Sequence, residues 1–139
     1  LALDYGDVRV GVAAAHTIAK MPHPLTTLRN DDALLVQLAQ LAAEQRAEQV
    51  VLGLPRNMDG TLGEQARKTQ MFGKHLAARL KLPVTYVDET LSSIEAQSHY
   101  GGNTPGKKGA LDAQAAATIL QRYFDQQAYA PQPAEGQVL

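Results

Sequence analysis

The segment Val50–Leu54 constrains the fold more than any other part of the sequence, because it contains no polar side chain. A strand with one face in water alternates apolar and polar residues, whereas an uninterrupted apolar run is expected of a strand covered on both faces of a sheet. The loop 55–60, which contains proline and glycine, ends the run. The segment therefore predicts a sheet with helices on both of its faces.

The elements before this strand predict the start of a mixed sheet. Leu1–Asp4 and Val8–Ala14 are expected to be two strands joined by a tight turn at Gly6, and the second shows the two-residue period of a half-buried strand. A third strand is expected near Leu25–Leu28. Helix-start residues at 30–32 then precede leucines at helical spacing.

Helices and strands are expected to alternate after Val50–Leu54. Thr61 with Glu64, and Ser92 with Glu95, have the spacing of helix capping boxes. The remaining expected elements are a helix from Thr61 to about Leu80, a strand over Pro83–Val87, a short helix from Ser92 to about Tyr100, a mobile glycine-rich loop over Gly101–Gly109 and a last helix over Ala110–Gln126. Strands first, followed by alternating helices and strands, predict a single α/β domain with a mixed sheet.

Composition excludes several classes of protein. The 139 residues fit one domain, and we expect residues 1–126 to form it and 127–139 to be a C-terminal tail. The absence of cysteine excludes disulfides and cysteine-based zinc sites. No apolar run approaches the roughly 20 residues that cross a bilayer, and no targeting segment is recognisable, so we expect a cytoplasmic protein without membrane contact. The net charge of −1 means that any phosphate binding must be local.

Acidic residues at strand ends and at a helix start are the candidates for chemistry. Asp4 ends the first strand, Asp88 and Glu89 end the strand after Pro83, and Asp112 lies in the first turn of the last helix. Each has an ordinary alternative as a turn, strand-end or capping acid. Asp112, however, shares a helical stripe that should face the sheet, where a carboxylate is costly unless it is paired or binds metal. Adjacent strand residues point to opposite faces, so only one of Asp88 and Glu89 can join Asp4.

Carboxylates that converge in this way favour hard cations. Mg²⁺ and Mn²⁺ prefer oxygen ligands from a few carboxylates, with waters and substrate phosphate completing the shell. Three acids could hold two such ions roughly 4 Å apart, which suits phosphodiester hydrolysis. The sequence therefore favours a metal-dependent nuclease.

Four segments together resemble the YqgF/RuvX family, which is described as Holliday junction resolvases or pre-16S rRNA nucleases. They are Leu3-Asp4-Tyr5-Gly6 through Ala13, Leu52–Pro55 with Asn57-Met58-Asp59-Gly60, Asp88 through Ala96, and Lys108-Gly109 followed by Asp112. The resemblance implies a ribonuclease H-like fold with Asp4, Glu89 and Asp112 as the catalytic and metal-binding triad, Asp88 being the second choice. Thr90 and Ala110 depart from the family pattern, in which basic residues can occur at these positions.

Nucleic acid is the expected partner, with its shape rather than its sequence recognised. Lys107 and Lys108 are the best candidates for phosphate contacts because a glycine-rich loop can close on a backbone. Arg9, Arg56 and Asn57 are further candidates. Two other classes stay open: a catalytically silent nucleic-acid-binding or ribosome-assembly module of the same fold, and a fragment of an actin-like ATPase. The oligomeric state is open as well.

Overall fold

The computed structural model of the chain describes residues 1–56, 59–89 and 108–129, with the backbone alone at 108–111 and 128–129. The described elements are β1 (Ala2–Tyr5), β2 (Arg9–Ala14), β3 (His23–Arg29), α1 (Leu34–Glu44), β4 (Val50–Leu54), α2 (Glu64–Leu80), β5 (Val84–Asp88) and α3 (Lys108–Tyr129).

The five strands form one mixed sheet in the order β3-β2-β1-β4-β5. β1, β2 and β3 pair antiparallel, whereas β4 pairs parallel with β1 and with β5. The hairpin β1–β2 closes at Gly6, whose N–H donates to the Arg9 carbonyl at 3.0 Å. This architecture confirms the predicted α/β class with a mixed sheet.

One face of the sheet is covered by α1 and α2 and is filled with large side chains. Leucines, valines and a phenylalanine form this cluster: Leu3, Val10, Val12, Leu34, Leu38, Val50, Leu52, Phe72 and Leu76. The alternation of β2 and the apolar spacing of α1 both direct their large residues to this side. This face therefore holds most of the bulky core.

The opposite face is covered by α3 and is built from smaller side chains. Ala2, Val51 and Val87 of the sheet pack against Ile119 and Leu120. A neighbouring alanine cluster consists of Ala13, Ala116 and Ala117. The stripe of α3 predicted to face the sheet is confirmed at Ala116 and Ile119, which are both fully buried.

Some predicted boundaries were wrong. The capping box at Thr61 and Glu64 is not formed: α2 begins at Glu64 after Gly63, and Thr61 instead donates its N–H and hydroxyl to the Asp59 carboxylate at 3.0 and 2.7 Å. The Asp59 carboxylate is two residues from Thr61, and its hydrogen bonds with Thr61 compete with the predicted capping interaction.

The last helix is longer than predicted. It begins at Lys108, within the loop expected over Gly101–Gly109, and continues to Tyr129, into the expected tail. The capping box at Ser92 and Glu95, the helix to Tyr100 and the loop over 101–107 lie outside the described residues. Within the described part of the chain, every helix is too short or too polar to cross a membrane.

Candidate carboxylate site

Asp4 lies in the middle of the sheet, beside a glycine on each neighbouring strand. On one side it pairs directly with Gly11 of β2. On the other, the parallel pairing of Leu3 with Leu52 puts Gly53 of β4 next to Asp4, one residue further along. Residues at equivalent positions on paired strands project from the same face, so Gly11, Asp4 and Gly53 form a row on one side of the sheet.

At both glycines, the space that a Cβ would fill is occupied by atoms of another element. A Cβ added at Gly11 would collide with the backbone carbonyl of Asp112. Because α3 begins at Lys108, Asp112 lies beyond the first turn in which it was predicted, and this part of the helix lies directly against β2. A Cβ added at Gly53 would lie 2.7 Å from the carboxyl carbon of Glu89 and 2.5 Å from Ile119 Cδ1. The row therefore brings Asp4, Asp112 and Glu89 to the face that α3 covers.

The structure distinguishes Glu89 from Asp88 by the face each occupies. Val87 packs in the cluster under α3, and Glu89, two residues later, continues on that side over Gly53. The Glu89 N–H donates to the Leu54 carbonyl at 3.2 Å, which extends the β4–β5 pairing beyond the strand. Asp88 is exposed and lies 3.5 Å from Arg56 Nε. Sequence reasoning left this choice open, and only Glu89 shares the face of Asp4.

The carboxyl group of Asp4 is unusual among the described acids. Burial, followed by the charge of Asp112, raises its pKa to about 6. Both causes disfavour the anion, since burial removes water and a second carboxylate repels the first. A cation placed between Asp4 and Asp112 would relieve the repulsion and replace the missing solvation.

Asp112 already has a cationic neighbour. Arg9 Nε donates to Asp112 Oδ2 at 2.5 Å, and the two side chains are 40% and 24% exposed. Arg9 was predicted as a nucleic-acid contact, and the structure places it on a predicted metal ligand. Such a charge-assisted hydrogen bond is short and directional, so it fixes the Asp112 carboxylate relative to β2.

The other predicted cations are dispersed. Arg56 Nη1 donates to the Gly60 carbonyl at 3.2 Å, and its Nε lies 3.5 Å from Asp88, on the other face of the sheet from Asp4 and Glu89. Lys108 begins α3, four residues before Asp112, whose backbone lies against Gly11. Asn57, Lys107 and the side chain of Lys108 lie outside the described residues.

The oxygen ligands that Asp4 and Asp112 offer suit a hard cation, but a complete set of three protein ligands is not observed among the described residues. Among the described residues, no group of three histidine or acidic side chains has the geometry of a metal site. Asp4 and Asp112, which interact electrostatically, nevertheless match the needs of Mg²⁺, since this ion commonly uses one or two carboxylates with waters and substrate phosphate. The residues therefore fit a carboxylate-bound divalent cation, and the contribution of Glu89 stays a prediction.

Sequence reasoning missed the two glycines and Arg29. Gly11 and Gly53 are what allow α3 and Glu89 to approach the sheet, and the signal was present in β2, where small Gly11 and Ala13 alternate with Val10 and Val12. Arg29 is the direct cross-strand partner of Arg9, which no single-strand pattern reveals.

The structure thus defines an α/β protein with a five-stranded mixed sheet, whose central strand carries a buried aspartate on the face that α3 covers. The family model described as "RuvX: Holliday junction resolvase" matches residues 1–126, and the chain belongs to this family. This confirms the resemblance found in the sequence.

Curated relatives of this chain carry the name "Putative pre-16S rRNA nuclease". The relative from Synechococcus elongatus is 44% identical, over 91% of this chain and 89% of its own length. The Dechloromonas aromatica relative is 42% identical over 90% and 89%, and that from Anaeromyxobacter dehalogenans is 40% identical over 92% and 97%. Among solved structures, RuvC of T. thermophilus in complex with Holliday junction substrate is a remote match, with a TM-score of 0.49, 13% identity and coverage of 91% of this chain and 93% of that one.

Proposed function

We propose that this chain is a divalent-metal-dependent nuclease that hydrolyses phosphodiester bonds in nucleic acid. The observation that carries the proposal is the buried Asp4 carboxyl, whose pKa is raised to about 6 by burial and by Asp112, on the face of the sheet that Glu89 shares. A carboxyl destabilised as an anion by a second carboxylate is what a bound cation would stabilise. Names of family and relatives support two candidate substrates, pre-16S rRNA and branched DNA such as a Holliday junction.

Asp4, Glu89 and Asp112 are the residues we assign to the metal and to catalysis. Mg²⁺ or Mn²⁺ held there, as a pair of ions, would supply activation of water and stabilisation of the leaving oxygen. The protein holds the carboxylates on rigid elements: Asp4 on the central strand, Asp112 against Gly11, and Glu89 through its backbone bond to Leu54. Rigid support of this kind keeps ligands in a productive geometry.

Nucleic acid is the proposed partner, bound at the β4 and α3 ends around the carboxylates. We assign phosphate contacts to Lys107 and Lys108, which precede and begin α3, and to Arg56 with Asn57 after β4. These contacts read charge and shape rather than sequence. The cytoplasmic location stays a prediction from the sequence.

The test is a cleavage panel on four-way-junction, duplex and single-stranded DNA and RNA, including a pre-16S rRNA fragment, with Mg²⁺ or Mn²⁺ and with EDTA. We expect metal-dependent cleavage that falls more than about a hundredfold in Asp4→Asn and in Asp112→Asn, because removal even of groups that only support metal ligands costs roughly 10- to 100-fold. Asp125→Asn is the matched control, since Asp125 is an exposed acid further along α3 and should retain full activity.

The catalytically silent module is the competing function, and the same panel distinguishes it. Binding of a substrate without cleavage by the wild type, in either metal, would favour the module. Cleavage that survives in both aspartate variants would mean a contaminating nuclease or a different site. The preferred substrate in the panel decides between RNA and branched DNA.

A further inference from the structure

Arg9 occupies a position that is unusual for a phosphate-binding residue. It contacts Asp112 through Nε at 2.5 Å and projects from the same face of β2 as Gly11, which is the face of the carboxylates. Its direct cross-strand partner is Arg29 of β3. Like charges directly opposite each other on paired strands are destabilising, so the placement of Arg9 depends on a local negative charge, and Asp112 provides it.

We propose that Arg9 is a built-in counter-cation of the carboxylate site, which neutralises Asp112 in the metal-free protein and gives up this carboxylate to the divalent cation. The proposal rests on the proposed function, because it takes Asp112 as a metal ligand. Arg9 is thus a positioning residue: it keeps Asp4 and Asp112 together without metal, and its displacement accompanies metal binding.

Competition follows from the geometry of the carboxylate. The guanidinium takes one acceptor position on Oδ2 of Asp112, so a metal ion that approaches this oxygen from the same side displaces it. A cation beside the site also repels an incoming divalent ion, most strongly at contact distance. The pair is partly exposed, at 40% for Arg9 and 24% for Asp112, so the exchange requires little local rearrangement. After the exchange, Arg9 and Arg29 present two positive charges on the side of the sheet next to the metal.

The first experiment measures Mn²⁺ and Mg²⁺ binding by calorimetry in wild type, Arg9→Gln, Arg9→Lys and the control Arg29→Gln. Arg29→Gln removes the same charge from an exposed residue one strand away. We expect Arg9→Gln to bind the metal about twofold to fivefold more tightly, which is the worth of a partly exposed ion pair. Arg9→Lys should bind nearly as the wild type does, and Arg29→Gln should change affinity by less than about twofold because solvent screens the more distant charge.

The second experiment is a double-mutant cycle on stability in EDTA, with Arg9→Gln, Asp112→Asn and the double variant. Arg9→Gln should lower the melting temperature, since Asp4 and Asp112 then repel without compensation, and Asp112→Asn in the same chain should restore it. Added Mn²⁺ should raise the melting temperature of Arg9→Gln by more than that of the wild type. A purely structural ion pair would lower stability without tightening metal binding.

The outcomes separate this inference from the proposed function. A wild type that binds neither metal overturns both. A wild type that binds metal, with Arg9→Gln binding equally or more weakly, overturns the exchange alone and leaves the nuclease assignment in place. An equal increase of metal affinity in Arg29→Gln also overturns the exchange, because the increase would then follow from the loss of any nearby positive charge. If Arg9→Gln does not fold, the double variant decides: we expect Arg9→Gln with Asp112→Asn to fold, because the uncompensated carboxylate is gone, and a double variant that also fails to fold contradicts the proposal.

Discussion

The two faces of the sheet are built to different rules. Beneath α1 and α2 the core consists of leucine, valine and phenylalanine, with Leu3, Leu38 and Leu52 almost fully buried. Beneath α3 the sheet contributes smaller residues, which are alanine, glycine and valine, with a carboxylate in the central strand. Small residues let the helix backbone approach closely enough for Asp112 to meet β2. The face under α1 and α2 buries large apolar side chains, whereas the face under α3 buries smaller ones and brings charged side chains together.

This division explains how a domain of this size can tolerate a crowded carboxylate pair. The apolar face contributes favourable transfer of large side chains from water, at about 25 cal/mol per Å² of apolar surface. The α3 face has a smaller apolar cluster and two polar contacts besides: Arg9 contacts Asp112 in the N-terminal part of the helix, and Gln49 donates to the Tyr123 hydroxyl at 2.9 Å in its C-terminal part. The polar contacts therefore add to apolar packing in fixing the helix, and the alanines and Gly11 allow its close approach.

The contributions of the two faces to stability are tested most directly by replacing one buried leucine with alanine on each face. Leu38→Ala, in α1, should lower the free energy of unfolding by about 4 kcal/mol, near the upper part of the range for buried leucines. Leu120→Ala, in α3, should cost about 2 to 3 kcal/mol because its cluster is smaller and can relax around the gap. Urea denaturation monitored by circular dichroism measures both. Equal losses of stability would mean that the faces contribute alike.

The pH dependence of stability isolates the charged part of the α3 face. The pKa of Asp4 is raised from 3.8 to about 6 in the folded chain, so its neutral form stabilises the fold below pH 3.8 and this contribution disappears as the pH rises through 6. Without metal, the decrease amounts to at most about 3 kcal/mol between pH 4 and 7. Denaturation in EDTA across this range measures it. Asp4→Asn should remove the dependence, and Asp125→Asn should keep it.

Substitution of the two glycines tests how closely the α3 face is packed. Gly11→Ala places a Cβ against the backbone of Asp112, which cannot rotate away, so we expect stability to fall by about 1 to 3 kcal/mol and metal binding to weaken. Gly53→Ala meets the ends of the Ile119 and Glu89 side chains, which can move, so its effect on stability should be smaller. Denaturation together with Mn²⁺ titration distinguishes the two. A larger effect for Gly53→Ala would mean that these side chains are held as firmly as the helix backbone.

The sequence predicted the apolar face well, because periodicity reports burial directly. The run Val50–Leu54 and the alternation of Val10 and Val12 predicted strands close to those observed, and the sheet class followed. The start of α2 was predicted wrongly because the Thr61 hydroxyl, which was expected to cap the helix, donates to the Asp59 carboxylate instead. The sequence alone does not show which of two nearby acceptors a threonine hydroxyl will use. The last helix was predicted to begin two residues late, at Ala110, where glycine suggested a loop.

The carboxylate site was predictable only as a set of residues. Asp4, Asp112 and the choice between Asp88 and Glu89 came from strand ends and the family pattern, yet the face of Glu89 depends on the register of β5 with β4. The Arg9–Asp112 contact joins residues 103 positions apart, and no local pattern encodes such a pair. Sequence identifies candidate charges, whereas sheet register and helix docking decide which of them meet.

The smallest expected effect concerns the charges at the start of α3, compared with those on α2. Replacing Lys107 and Lys108 by alanine should weaken nucleic-acid binding uniformly across sequences and lower the slope of log affinity against log salt by about 0.7 to 0.9 for each phosphate that is no longer neutralised. Lys74→Ala with Lys81→Ala is the matched control, since both are exposed and lie in or directly after α2, the helix that covers the opposite face. A salt titration of binding in Ca²⁺, used to block turnover, measures the slopes. If the control pair changes the slope as much as the α3 pair, substrate does not distinguish the two faces, and the bound nucleic acid must be placed elsewhere on the molecule.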